Sequence, residues 1–214
     1  MTEKPGNTAP SDEFRERLLD AMLAVAPEKG WTEAGLAAAA TQAGLSEGQV
    51  ILACPNGVSD LLEALGQRAA RAVGDRLSAP DIAGLKVRDK VSAGVRAWLA
   101  ALDPAKPAVK RAAGSPANLL TGPKGVWSAA DAIWSALGDK STDYNWYTKR
   151  LILSGVVAST LLVWLGTDDQ SEIDAFLARR IENVMDFEKA KGRVREFASH
   201  LPNPLDLLGK RPGA

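Results

Sequence analysis

The chain has little of what metal-dependent and nucleophilic catalysis require. Of its 214 residues only Cys54 is a cysteine and only His200 is a histidine. A single cysteine cannot form an intramolecular disulfide, and the chain has no Cys/His spacing typical of a metal site. The formal net charge is zero, with 26 basic and 26 acidic residues, so the chain as a whole is not suited to binding polyanions. These shortages predict no metal, no cofactor and no catalytic residue.

The carboxylates do not suggest an enzyme either. Asp131, Asp139 and Asp143 are interpreted as helix caps and turn residues, and the chain contains no phosphate-binding loop and no activated nucleophile. Cys54 is interpreted as a small buried apolar residue. The first residues lack the apolar centre of a secretory signal and the arginines of a transit peptide, which favours a cytoplasmic location.

No segment alternates polar and apolar residues over a useful length, so a sheet is not expected. Helical periodicity and capping residues predict an all-α bundle instead. Thr32, Ser46 and Ser59 are expected to cap helices, and the prolines at 104 and 107 are interpreted as part of a connection. The longer helices are expected over 14–29, 59–77, 85–102, 115–120, 126–137, 145–165 and 172–197.

The N-terminal unit has the helix order of a helix-turn-helix. Gly30 closes the first helix, Trp31-Thr32 starts the second, and residues 43–46 (Ala-Gly-Leu-Ser) form the turn. This pattern resembles the N-terminus of TetR-type regulators, which implies a TetR-like fold with a third helix placed where that family contacts DNA.

The chemistry of DNA contact is missing from this unit. The third helix, residues 47–54, contains no cation and no aromatic residue, and residues 1–79 contain seven basic and eleven acidic side chains. Neutralising phosphates supplies the sequence-independent part of DNA affinity, and a unit with a net charge of −4 cannot supply it. DNA binding is therefore not expected. A ligand-responsive regulator of the TetR type stays the alternative function.

The C-terminal part carries an uncharged run of fifteen residues, 151–165, and five of the six tryptophans. This run is shorter than the about 20 residues that span a bilayer, and it is too apolar for a surface helix. It either packs in the core or forms the wall of a lipid cavity between helices. The residues expected to contact lipid are Trp98, Trp127, Ile133, Trp134, Leu153, Val156, Val157, Thr160 and Trp164.

A string of thirteen residues, 138–150 (GDKSTDYNWYTKR), resembles the signature of the accessory family of ubiquinone biosynthesis known as the ninth coenzyme-Q protein. Residues 115–118, 130–134 and 179–185 match the family pattern as well. The resemblance implies a dimeric TetR-like protein that is not an enzyme. It would bind isoprenoid quinone intermediates in a hydrophobic cavity and present them to a di-iron hydroxylase.

The resemblance also implies a partner-binding patch at Asp143, Asn145, Trp146, Tyr147 and Arg150. The residue types agree, since exposed Trp, Tyr and Arg often anchor interfaces; the alternative is that Trp146 is core. The expected organisation is a disordered start (1–12), a helix-turn-helix-like unit (13–79), a helical lipid-binding and dimerisation domain (80–199) and a tail (200–214). The tail, with its leucines beside Lys210 and Arg211, either rests on an anionic surface, the cytoplasmic face of the inner membrane, or is a loosely packed end of the chain.

Overall fold

The computed structural model describes residues 9–115, 121–142 and 144–199, with the backbone alone for 121–123, 144 and 187–199. Within these residues the chain forms nine α-helices and no β-strand, which confirms the all-α prediction. The helices are α1 (Pro10–Lys29), α2 (Glu33–Ala43), α3 (Glu47–Ala53), α4 (Val58–Leu77), α5 (Val87–Leu102), α6 (Lys106–Ala113), α7 (Thr121–Ala136), α8 (Tyr144–Gly166) and α9 (Gln170–Ser199). Of the predicted helix at 115–120 only Ser115 is described, and it is not helical; residues 116–120 and the tail lie outside the described residues, and the TetR-like arrangement stays a prediction.

Side-chain capping sets the start of two of the short helices. The Thr32 hydroxyl accepts a hydrogen bond from the Gly35 amide, and Ser46 forms a reciprocal capping box with Gln49. The prediction that Ser59 caps α4 was wrong. The N-cap is Gly57 with φ of 66°, a conformation that a glycine adopts at little cost.

Helix α6 was missed because its prolines were interpreted as breaking the chain. Pro107 instead occupies the first turn of α6, where its missing amide has no intrahelical partner to lose. The Trp31 indole donates to the Ala108 carbonyl across 2.9 Å and so ties α6 to the start of α2.

Helix α4 lies at the centre of the bundle, where α5 and α7 pack against it. Helix α1 contacts α2, α3 and α6, while α8 lies between α7 and α9. One buried apolar cluster includes residues on both sides of residue 79, the predicted domain boundary. The largest fully buried aliphatic side chains in it are Leu18, Leu19, Met22, Leu61, Val73, Ile82, Val95, Ile133, Val157 and Leu177.

Helices α5 and α7 approach closely at one glycine. A Cβ placed on Gly94 would lie 2.9 Å from Cγ1 of Ile133, closer than side chains tolerate. Gly94 therefore sets the distance between the two helices that carry Trp98 and Trp134.

Candidate functional site

The end of α7 places an acidic side chain against α8. Gly138 adopts φ of 73°, its amide donates to the Ser135 carbonyl, and the Asp139 amide donates to the Trp134 carbonyl across 3.1 Å. This pair of bonds is a Schellman motif, in which the glycine reverses the chain after the helix. The motif fixes the position of Asp139, whose side chain is only 5% exposed.

Asp139 binds two cations from the first turns of α8. Its Oδ1 accepts from Lys149 Nζ at 2.6 Å and from Ser141 Oγ at 2.8 Å, and its Oδ2 accepts from Arg150 Nη1 at 3.1 Å. The hydrogen bond from Lys149, followed by those from Ser141 and Arg150, holds the pKa of Asp139 well below its ordinary value of 3.8. Arg150 also binds Asp131 on α7, at 2.5 Å.

These contacts correct two sequence predictions. Arg150 was expected in a partner-binding patch, but only 2% of it is exposed, because Asp131 and Asp139 together hold its guanidinium inside the bundle. Asp131 was expected to be a cap or turn residue, but it lies within α7, whereas Asp139 does lie in the turn after α7; both are counter-charges of Arg150. Asp143 lies outside the described residues.

Trp146 packs against Arg150, the residue that forms these ion pairs. The Arg150 guanidinium lies 4.0 Å from the centre of the Trp146 ring, and the Trp127 ring centre lies 6.0 Å from it on the other helix. Trp146 is therefore half-buried and fixed between α7 and α8. Its neighbour Tyr147 contacts it edge-on at 4.7 Å, yet Tyr147 is 62% exposed. Asn145 is exposed as well.

An apolar cavity of about 530 Å³ lies between the start of α5, the end of α7, α8 and α9. Its volume is in the range typical of small-molecule sites. Its lining is Lys86, Val87, Arg88, Val91, Trp134, Asn145, Thr148, Lys149, Ile152, Leu153, Val156, Ile181, Val184 and Met185.

Three of the nine predicted lipid-binding residues, Trp134, Leu153 and Val156, line this cavity. The other six do not line it. Trp127 contacts Trp146, Trp164 donates to Asp103, and the Thr160 hydroxyl donates to the Val156 carbonyl within its own helix. The remaining three are buried in the core, namely Trp98, Ile133 and Val157.

Sequence reasoning missed the contribution of α5 and α9 to this cavity. Ile181 and Val184 are three residues apart and follow Leu177 by four and seven, a spacing that indicates one helix face. That stripe could have predicted an apolar wall on α9. Nothing in the sequence around Lys86 and Val91 indicates that the start of α5 reaches the same space.

Helix α8 presents three faces, because successive residues of a helix are rotated by about 100°. Thr148, Ile152 and Val156 face the cavity, and the core face carries Arg150, Val157 and Trp164. The third face is exposed and apolar, with Tyr147, Leu151 and Leu162 between 62% and 69% exposed.

By length and composition, Asn145–Gly166 would suffice to cross a membrane: it has 22 residues, and its most apolar window of 18 residues reaches a mean hydropathy of 1.4. The predicted run of fifteen residues was too short only because it started at Leu151. In the folded chain 39% of the most apolar window is buried, and core helices of soluble proteins pass the same test.

The fold and the cavity define the class of protein: an all-helical bundle with an apolar cavity between α5, α7, α8 and α9. A model of the COQ9 family matches residues 119–188 of the chain. That stretch holds Asp131, Asp139, Arg150 and most of the cavity lining. The match confirms the resemblance to the ninth coenzyme-Q protein over this third of the chain.

Curated relatives extend the likeness over most of the chain. It is 29% identical over 205 residues to the bovine (Bos taurus) protein named ubiquinone biosynthesis protein COQ9, mitochondrial, covering 91% of this chain and 64% of the bovine one. The same-named rat (Rattus norvegicus) protein is 27% identical over 206 residues, covering 91% and 66%. The human (Homo sapiens) protein is 24% identical over 206 residues, covering 91% and 64%. The chain thus spans less than two thirds of the length of these relatives.

Proposed function

We propose that the chain is a non-enzymatic accessory protein of ubiquinone biosynthesis. It binds an isoprenoid quinone precursor and presents it to a partner hydroxylase. The observation that carries the proposal is the apolar cavity between α5, α7, α8 and α9, which lies largely within the part of the chain that the COQ9 family model matches.

The cavity is suited to binding rather than to chemistry. Among the described residues, those that line it include no carboxylate, cysteine or histidine, so it offers no acid–base pair and no nucleophile. Each methylene group that moves from water into it contributes about 0.8 kcal/mol. A prenyl chain can therefore bind with few polar contacts, provided that the cavity matches the bilayer from which the lipid comes.

The start of α8 is the proposed surface for the hydroxylase. Tyr147 is exposed there, and the next residue, Thr148, lines the cavity, so a partner on this surface would sit beside the bound lipid. Asn145 and the half-buried Trp146 complete the surface, whereas Arg150 supports it from inside. A homodimer and a peripheral position on a membrane belong to the same proposal.

The proposal allows either of two cellular compartments for this chain. The relatives are named mitochondrial, which differs from the cytoplasmic side of the inner membrane expected from the sequence. Both settings provide a membrane that holds the precursor, and the proposal needs only that membrane.

Hydroxylase turnover of a precursor held in lipid vesicles tests the proposal. Wild-type protein should raise the rate severalfold, and Tyr147→Ala should lose most of that increase. Leu162→Ala, which changes an equally exposed apolar residue farther along the same helix, serves as the matched control and should behave like wild type. A hydroxylase rate that does not respond to wild-type protein would contradict the proposed function.

A further inference from the structure

The lining of the cavity changes in polarity along α8. Asn145, Thr148 and Lys149 line it at the start of the helix, and Ile152 and Val156 line it farther along. A helix rises by about 1.5 Å per residue, so this lining runs over about 16 Å. On α8 the cavity therefore has a polar end and an apolar end, as a ligand with a polar head and a hydrocarbon tail requires.

Lys149 holds its ammonium group at the polar end. Its Nζ lies 5.3 Å from the centre of the Trp134 ring, and both residues line the cavity. Nζ donates to Asp139 Oδ1 at 2.6 Å and to Ser141 Oγ at 2.9 Å. An ammonium group has three N–H donors, and within the part of the chain that the structure describes these two oxygens take two of them. One donor is left for an oxygen of the ligand.

The charges around this donor balance. Lys149 and Arg150 both pair with Asp139, and Arg150 also pairs with Asp131, so two cations meet two carboxylates. A further anion would lie beside Asp139, whereas a neutral carbonyl oxygen adds no charge and still gains a hydrogen bond from a charged donor. The polar end therefore fits an uncharged head that carries oxygen acceptors, as a quinone ring does.

Resting on the proposed lipid-binding function, we propose that Lys149 recognises the ring of the quinone precursor. Its Nζ donates to one ring carbonyl oxygen, and the ring lies beside Trp134. The hydrocarbon tail runs past Ile152 and Val156. This orientation places the ring at the end of the cavity nearest Tyr147, on the proposed hydroxylase surface, and directs the tail away from it.

Infrared spectroscopy of a bound quinone tests the role of Lys149. The probe is trimethyl-decyl-para-benzoquinone, isotope-labelled at its two ring carbonyls, because its fully substituted ring resists addition of amines. The full chain is used as wild type and as Lys149→Met. Lys106→Met is the matched control: Lys106 also pairs with an aspartate and lies 5.0 Å from the Trp164 ring centre, but it does not line the cavity. Lys86→Met removes another lysine that does line it.

In wild type, one carbonyl of the bound probe should absorb at a lower frequency than it does in decane, because a hydrogen bond from the ammonium group weakens the C=O bond. Lys149→Met should lose this lowered band and bind the probe about tenfold more weakly. Lys106→Met and Lys86→Met should keep both the band and the affinity.

Two carbonyl bands at their decane frequencies in wild type would overturn the role of Lys149 and leave the lipid-binding function standing. That result needs no variant, so it decides the matter even if Lys149→Met does not fold. A lowered band that persists in Lys149→Met, folded by circular dichroism, or that disappears in Lys86→Met would overturn it as well. Failure of the probe to bind wild type would overturn the proposed function too.

Discussion

Nη1 of Arg150 donates to Oδ2 of Asp139 across 3.1 Å, and the two side chains are only 3% and 5% exposed. The two residues are eleven apart in sequence and belong to different segments, α8 and the turn after α7. Their contact joins α8 to the turn after α7. Arg150, expected from the sequence in a partner-binding patch, thus forms a buried ion pair that holds α8 against the turn after α7.

Replacing Arg150 by methionine should destabilise the fold by about 3 kcal/mol, because it leaves the buried Asp139 with one cation fewer and leaves Asp131 unpaired. Urea unfolding followed by circular dichroism measures the change. Arg96→Met is the matched control, since Arg96 forms an exposed pair with Asp174 and should cost less than about 1 kcal/mol. Equal costs for the two variants would show that burial of the Arg150 pair has no energetic consequence.

Asp139 should make stability depend on pH. Its pKa in the folded chain lies below the ordinary 3.8, so the folded state favours the ionised form. The stabilisation is present above the unfolded pKa and is lost as the pH falls through that value towards the folded pKa. Urea midpoints measured from about pH 6 to about pH 3 should therefore fall more steeply for wild type than for Asp139→Asn. Identical slopes would show that Asp139 does not couple folding to protonation.

Gly94→Ala should destabilise the fold, because the added Cβ would meet Ile133 at 2.9 Å and push α5 from α7. The expected cost is about 1–3 kcal/mol in thermal unfolding. Gly66→Ala on α4 is the control: nothing lies within 4 Å of a Cβ placed there, and a helical alanine should add about 0.5–1 kcal/mol. Stabilisation by both substitutions would mean that α5 and α7 separate without cost.

Trp146→Ala and Tyr147→Ala should have different effects although the residues are adjacent. Trp146 stacks on Arg150 and packs against Trp127, so its loss should cost about 2–3 kcal/mol in urea unfolding. Tyr147 is largely exposed, and its loss should change stability by about 0.5 kcal/mol or less while it weakens hydroxylase binding in a pull-down. A destabilising Tyr147→Ala with unchanged hydroxylase binding would remove it from the proposed surface.

Local signals predicted the helices well. Thr32 and Ser46 start helices as their capping chemistry indicates, and the uncharged run of α8 does lie within one helix. The prolines caused helix α6 to be missed. A proline in the first turn of a helix, such as Pro107, cannot be distinguished by sequence alone from a proline in a connection. Ser59 caused another, since Gly57 starts α4 by its backbone conformation rather than by a side chain.

The candidate site was only partly predictable because its contacts join distant segments. Trp134, Leu153 and Val156 line the cavity, while their contact with lipid stays a prediction. The approach of Lys86 and Ile181 depends on how α5 and α9 pack on α8. Trp146 and Arg150 are four residues apart, a spacing that places them on one side of α8. It could not show that this side faces inward, because the deciding partner, Asp139, reaches it through the reversal at Gly138.

The central claim, that the cavity holds lipid, is tested most directly by native mass spectrometry of the full chain purified from its own source. Wild type should carry co-purified lipid. Val156→Phe, which narrows the cavity, should carry less than a tenth as much while remaining folded by circular dichroism. Bare wild-type protein, or lipid that persists at the same level in folded Val156→Phe, would contradict the claim.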